Sequence, residues 1–247
     1  YSISKYEKEI YDYIKSFYTN EILISDRTLI KKEIDVYIPE KKIGFEFNGV
    51  YWHSELHKEP SYHIDKMNLV IKNNVHLVYI WEDDWLYKQD IVKSRIKNVL
   101  GFNSTKIYAR KCIIKEVTTK DNKIFLEKNH IQGNVNAKVK LGLYYKNELV
   151  SLMTFGKTRK NLGSKSINGE YELLRFCNKL NTSVVGAAGK LFKYFLKHYN
   201  PIKVISYGDC DWTKKEESVY ELIGFKKVGH TGLNYEWVVD GIRHNRF

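Results

Sequence analysis

Residues 34–53 read IDVYIPEKKIGFEFNGVYWH. Two β-rich runs, Ile34–Ile38 and Ile43–Asn48, flank Pro39-Glu40-Lys41-Lys42, a four-residue turn with Pro at its start. A turn centred between Glu40 and Lys41 makes paired residue numbers sum to 81, which sets Asp35 across from Glu46 and Ile34 across from Phe47. Directly opposed side chains share a face, and two like charges there destabilise a sheet unless a cation joins them. A hard divalent ion, Mg²⁺ or Mn²⁺, is the natural guest for two such carboxylates, with the Phe47 carbonyl as a third ligand. Such an ion polarises a phosphoryl oxygen and activates water. The hairpin therefore predicts a metal site for phosphodiester chemistry.

The rest of the chain sets bounds on that reading. Its 247 residues allow two domains, and a 43% hydrophobic share with 19 Tyr, 11 Phe and 5 Trp predicts packed structure. No apolar run reaches the length of a membrane span, and no signal-peptide pattern opens the chain, so a cytoplasmic protein is expected. A first residue of Tyr1 is consistent with a piece of a longer product. Cys112, Cys177 and Cys210 are widely spaced, which predicts free thiols and no zinc site. Residues 1–104 carry 15 Lys+Arg and 16 Asp+Glu, whereas residues 105–247 carry 26 and 13. All the positive excess thus lies in the second half, which is expected to hold a polyanion while the first half acts on it.

Helical spacing of Tyr6, Ile10, Tyr13, Ile14 and Phe17 behind Ser4 and Glu7, a capping-box pair, predicts a first helix. Glu21–Ile30 is mixed. Residues 64–72 have helical spacing, Val75–Trp81 reads as a strand buried on both faces, and Trp85–Leu100 as one amphipathic helix. Residues 1–103 thus form a mixed domain of order α-β-β-α-β-α, ending at Gly101-Phe102-Asn103-Ser104. In residues 104–247 the pattern predicts a helix at 123–130 and a hairpin of 140–145 with 148–155. A basic loop at 156–169 leads to a strand at 171–177, and VVGAAGKLFKYFLKHY opens a helix. A strand at 204–207, a helix at 218–223 and paired strands at 226–231 and 235–239 complete the pattern. His63, at the start of a helix, and Lys66, one turn later, are candidates to touch phosphate.

The helix Glu7, strand Asp35 and strand Glu46-Phe47-Asn48 resemble the PD-(D/E)xK nuclease superfamily. Gly49-Val50-Tyr51-Trp52-His53, with a later strand ending Trp81-Glu82, is similar to its very-short-patch-repair branch and to phage homing endonucleases of the EDxHD type. The resemblance covers most of residues 4–100. It implies a Mg²⁺-dependent DNA endonuclease in which Asp35, Glu46 and Phe47 hold the metal and Glu7 supports it. In that family Lys stands where this chain has Asn48, which can neither act as a base nor carry charge. His53 is then the candidate for proton transfer, and Trp52 for stacking on a base.

The strand–Gly-rich turn–helix order of the second half resembles the acetyltransferase (GNAT) fold, with Val184–Lys190 in the place of its phosphate-binding turn. The segment departs from that family's signature at its first position. Residues from Ser206 to the C-terminus resemble a domain appended to nuclease domains in phage homing endonucleases. Arg110, Lys111, Arg159, Lys160, Lys165, Arg243 and Arg246 are candidate phosphate contacts on double-stranded DNA. The expectation is thus an α/β chain acting in a bacterial host as a phage homing endonuclease, of unstated oligomeric state. Two alternatives stay open: a catalytically inactive DNA-binding protein, and an acetyl-CoA-dependent N-acetyltransferase.

Overall fold

The structure is a computed structural model that describes residues 3–50, 61–158, 168–209, 212–213, 218–229, 231 and 236–244, with side chains omitted for 61–65. It is a mixed α/β chain with several sheets, and no helix among the described residues is long and apolar enough to cross a membrane. It divides into two compact units. The first comprises Tyr1–Ile96, Cys210–Glu216 and Lys227–Phe247, and the second Lys97–Asp209 and Glu217–Lys226. The sequence pattern put the division near residue 103 and gave the whole tail to the second half. Here the last 21 residues belong to the first unit.

The chain runs α1 (Lys5–Lys15), β1 (Leu23–Asp26), β2 (Ile34–Ile38), β3 (Ile43–Asn48), α2 (Ser61–Lys72), β4 (His76–Trp81), α3 (Glu82–Tyr87) and α4 (Gln89–Leu100). Ser4 caps α1 reciprocally with Glu7, and the helix buries Ile10 and Ile14. The sheet order is β1-β2-β3-β4. Val36 pairs with Phe45, Tyr37 with Gly44 and Ile38 with Ile43, the register that the turn chemistry requires. A 3₁₀ turn at Pro39–Lys41 closes the hairpin, and Lys42 ends it at φ 51°.

β4 lies parallel to β3, as a strand–helix–strand crossover through α2 demands. Both strands are buried along most of their length. The segment 85–100, expected as one helix, is two. Lys88 leaves helical geometry, and its N–H bonds back to the Asp84 carbonyl.

The second unit contains β5 (Thr105–Tyr108), β6 (Ile113–Glu116), α5 (Thr119–Asn129), β7 (Val139–Tyr145), β8 (Glu148–Gly156), β9 (Glu170–Asn178), β10 (Thr182–Val185), α6 (Ala187–Tyr199), β11 (Lys203–Ser206) and α7 (Val219–Leu222). Its main sheet has the order β11-β9-β8-β7-β6. Lys146 and Asn147, both at positive φ, form the tight turn whose twist suits the β7–β8 hairpin. Phe155 on β8 stacks against Phe195 of α6, so the helix covers one face of the sheet. β11 pairs with only the first four of the nine residues of β9. β10 pairs in parallel with β5 in a separate two-stranded sheet.

The chain ends in a hairpin of β12 (Trp237–Val239) and β13 (Ile242–His244). It turns at Asp240-Gly241, both at positive φ. The pairing expected between 226–231 and 235–239 is replaced by this shorter one, which packs within the first unit.

Candidate functional site

Among the described residues, two places gather the candidate side chains, one in each unit. In the first, the β2–β3 register brings Asp35 and Glu46 together. The Phe47 N–H donates to Asp35 Oδ2 at 2.7 Å, and the Asp35 N–H donates to Glu46 Oε1 at 3.4 Å. Lys66, carried by α2, completes the group with its Nζ 2.5 Å from Glu46 Oε2. Glu46 and Lys66 are 7% and 4% exposed, so this is a buried ion pair with little solvent to screen it.

Asp35 is pushed up to about 8, first by burial and then by the charge of Glu46. The Phe47 N–H and the Lys66 ammonium oppose that rise, while Glu7 adds to it.

Glu7 is engaged elsewhere. Its Oε2 accepts from the Ser4 N–H at 3.1 Å. Asn48 is 2% exposed, and its Oδ1 has no hydrogen-bond partner among the described residues. Phe47 is paired with Ile80 along the β3–β4 ladder, its ring 5.0 Å from that of Tyr6. Among the described residues no three His, Cys, Asp or Glu side chains gather to hold a metal. The Lys66 ammonium is paired with Glu46 Oε2, on one of the two carboxylates expected to hold Mg²⁺ or Mn²⁺.

Lys66, expected to reach phosphate, is turned inward. It shares a helical face with Val70, which is fully buried. A lysine four residues before a buried valine, on the apolar stripe of α2, was the signal for an internal partner. Trp52 and His53 lie outside the described residues, as do Arg159, Lys160, Lys165 and Arg246 and the side chain of His63.

Arg243 is also taken up by carboxylates. Its Nε is 2.9 Å from Asp83 Oδ1 and its Nη2 2.6 Å from Asp84 Oδ2, and its guanidinium lies over the Trp81 ring at 4.5 Å. It fastens β13 to the start of α3, and is only 16% exposed along its side chain.

The second unit carries 22 Lys+Arg and 9 Asp+Glu, a net charge of +13. Reassigning the tail thus leaves the charge asymmetry of the sequence in place. β10 leads into α6 through Gly186 at φ 81°, a left-handed conformation that glycine adopts without strain. A cleft of about 570 Å³ opens there, lined among others by Tyr108, Arg110, Gly186, Lys190 and Lys193. Lys190 Nζ donates to the carbonyls of Ala109 at 2.9 Å and Cys112 at 2.5 Å, which ties α6 to the turn after β5. Arg110 and Lys111, both expected as phosphate contacts, are exposed on that turn.

No family model matches the chain, and no curated protein matches it. Among solved structures it is similar to the crystal structure of ribosomal-protein-alanine N-acetyltransferase from Brucella melitensis biovar Abortus 2308. That match has a TM-score of 0.35 and 11% identity, and spans 50% of this chain and 98% of that one.

The protein matched is an acetyltransferase and not a hydrolase acting on DNA. The Mg²⁺-dependent endonuclease, the PD-(D/E)xK and very-short-patch-repair resemblance and the phage homing role are corrected accordingly. The likeness itself is too slight to transfer an activity to this chain.

Proposed function

We propose that the chain is a non-catalytic DNA-binding protein whose second unit holds the phosphate backbone of double-stranded DNA. The observation that carries this is the concentration of the entire positive excess in one compact unit, net +13, whereas the other unit has a net charge of −1. Lys and Arg on such a face exchange condensed counterions for phosphate contacts, which supplies affinity without reading sequence. Lys106, Arg110, Lys111, Lys115, Lys193 and Lys197 are exposed and available for this. Lys66 and Arg243 are excluded from the contact set, because carboxylates hold both. In this reading the first unit is a folded partner whose polar centre is structural.

The test is fluorescence anisotropy of a labelled 30-base-pair duplex against the full chain at physiological salt. Micromolar or tighter binding, abolished when Lys106, Arg110 and Lys193 are replaced together by Glu, supports the reading. Absence of binding at 100 μM protein refutes it.

A second reading, transfer of an acyl group from acetyl-CoA by a GNAT-like second unit, is favoured by one feature. β9 and β11 pair along only the first four residues of β9, and the N-terminus of α6, which follows β10, opens into a cleft. Backbone N–H groups at a helix N-terminus suit a pyrophosphate. Calorimetry with millimolar acetyl-CoA separates the two readings: saturable heat supports this one, and its absence removes it.

A further inference from the structure

β5 is four residues long, and its side chains alternate. Ile107 packs into the core while Lys106 and Tyr108 face solvent, and Ala109 is again buried with Arg110 outside. The parallel register with β10 sets Val185 beside Tyr108. These are large apolar groups left open, Tyr108 at 39% and Val185 at 41% exposure. Cations flank the ring. The Arg110 guanidinium carbon is 5.2 Å and Lys106 Nζ 5.6 Å from its centroid, both within cation–π range. A cleft of about 570 Å³ is lined by this ring together with Arg110, Val185, Lys190 and Lys193.

An exposed aromatic held on a rigid sheet edge, with an aliphatic neighbour and a cationic rim, has the elements of a base-stacking platform. A base has an apolar face for Tyr108 and Val185, and its own phosphates fall to Lys106, Arg110 and Lys193. Duplex DNA offers no open base face, so the phosphate contacts proposed above do not account for this apolar pair. We infer that the Tyr108–Val185 face takes an unpaired base of single-stranded DNA, so that the second unit binds a frayed or looped strand more tightly than its charge alone provides. The charge complementarity of the unit commits the occupant to a polyanion with flat rings. This rests on the DNA-binding reading and adds to it the state of the strand.

The experiment compares the full chain with Tyr108→Ala and Tyr108→Trp, using labelled dT20 and a labelled 20-base-pair duplex at 0.15 M salt. Thermal unfolding monitored by circular dichroism confirms that the variants fold. Tyr108→Ala is expected to weaken dT20 binding about 5- to 150-fold, the range of one base–aromatic stack. Duplex binding should move less than about twofold, and Tyr108→Trp should keep or improve dT20 affinity, since indole stacks at least as well. If both DNAs bind and Tyr108→Ala changes neither, or changes both equally, the stacking inference is overturned while DNA binding stands. If neither DNA binds, the DNA-binding reading fails and this inference with it. Should Tyr108→Ala alone unfold, Tyr108→Trp and Val185→Ser carry the comparison, and unchanged dT20 affinity in Val185→Ser together with a loss in Tyr108→Trp overturns the inference.

Discussion

Replacing Asp35 by Asn removes the proton that the first unit's polar centre binds on folding, and the consequence can be worked from the structure. Burial and the charge of Glu46 raise Asp35 to about 8 in the folded chain from a reference of 3.8. The folded state therefore binds this proton more tightly than the unfolded state does. The associated stability is complete below about pH 4 and is lost as pH climbs toward 8. While Asp35 titrates, the loss proceeds at up to about 1.4 kcal/mol per pH unit, so a ceiling of about 3 kcal/mol separates pH 5 from pH 7.5. Asn retains an acceptor oxygen for the Phe47 N–H that Asp35 now receives at 2.7 Å, and it does not titrate. Asp35→Asn should consequently escape the loss and gain on the wild type as pH rises.

All five tryptophans lie in the first unit, so urea unfolding followed by their fluorescence reads that unit alone. A wild-type-minus-variant stability that stays flat within about 0.5 kcal/mol from pH 5 to 7.5 would refute the reasoning. A wild type that gains on the variant would show instead a carboxylate held ionised by Lys66.

Lys66→Met should destabilise the first unit by about 3–5 kcal/mol, the usual cost of leaving a buried carboxylate without its partner. In the same urea assay 10 mM Mg²⁺ should leave the wild type unmoved and recover part of the loss in the variant. An equal Mg²⁺ response in both would show that the ammonium does not occupy the cation's place. Arg243→Ala releases the bonds to Asp83 and Asp84, and an expected cost of about 1–3 kcal/mol at low salt is checked by the midpoint of tryptophan-detected unfolding. An unchanged midpoint would mean that the terminal hairpin contributes nothing to the first unit.

Much of the first unit was legible because its signals are local. The turn at Pro39 sets the hairpin register, and the apolar run VHLVYIW announces a strand covered on both faces. The same is true of Lys146-Asn147, whose neighbours form a hairpin of the expected extent. What escaped depends on distant partners. β5 and β10 are four-residue strands of modest apolar content, TKIY and TSVV, and each becomes a strand only by pairing with the other across more than 70 residues. No period in either segment reports that.

Site chemistry divides along the same line. The closeness of Asp35 and Glu46 follows from one turn, but their meaning depends on Lys66, delivered by a helix beyond it. A charged residue in mid-helix reads as solvated unless its position on the buried stripe is weighed. Arg243, near the end of the chain, reads as a free cation until the hairpin that carries it is seen to fold onto Asp83 and Asp84. In both cases tertiary packing spent a basic side chain internally, and composition alone counts such residues as available.

The salt dependence of duplex affinity tests the DNA-binding account most directly. For the full chain and a 30-base-pair duplex between 50 and 300 mM NaCl, contacts to about five phosphates predict a slope of log Kobs against log[NaCl] near −4.5. A slope shallower than about −1, or a dissociation constant no tighter than about 1 mM throughout, would contradict the claim that the basic unit holds DNA by its phosphates.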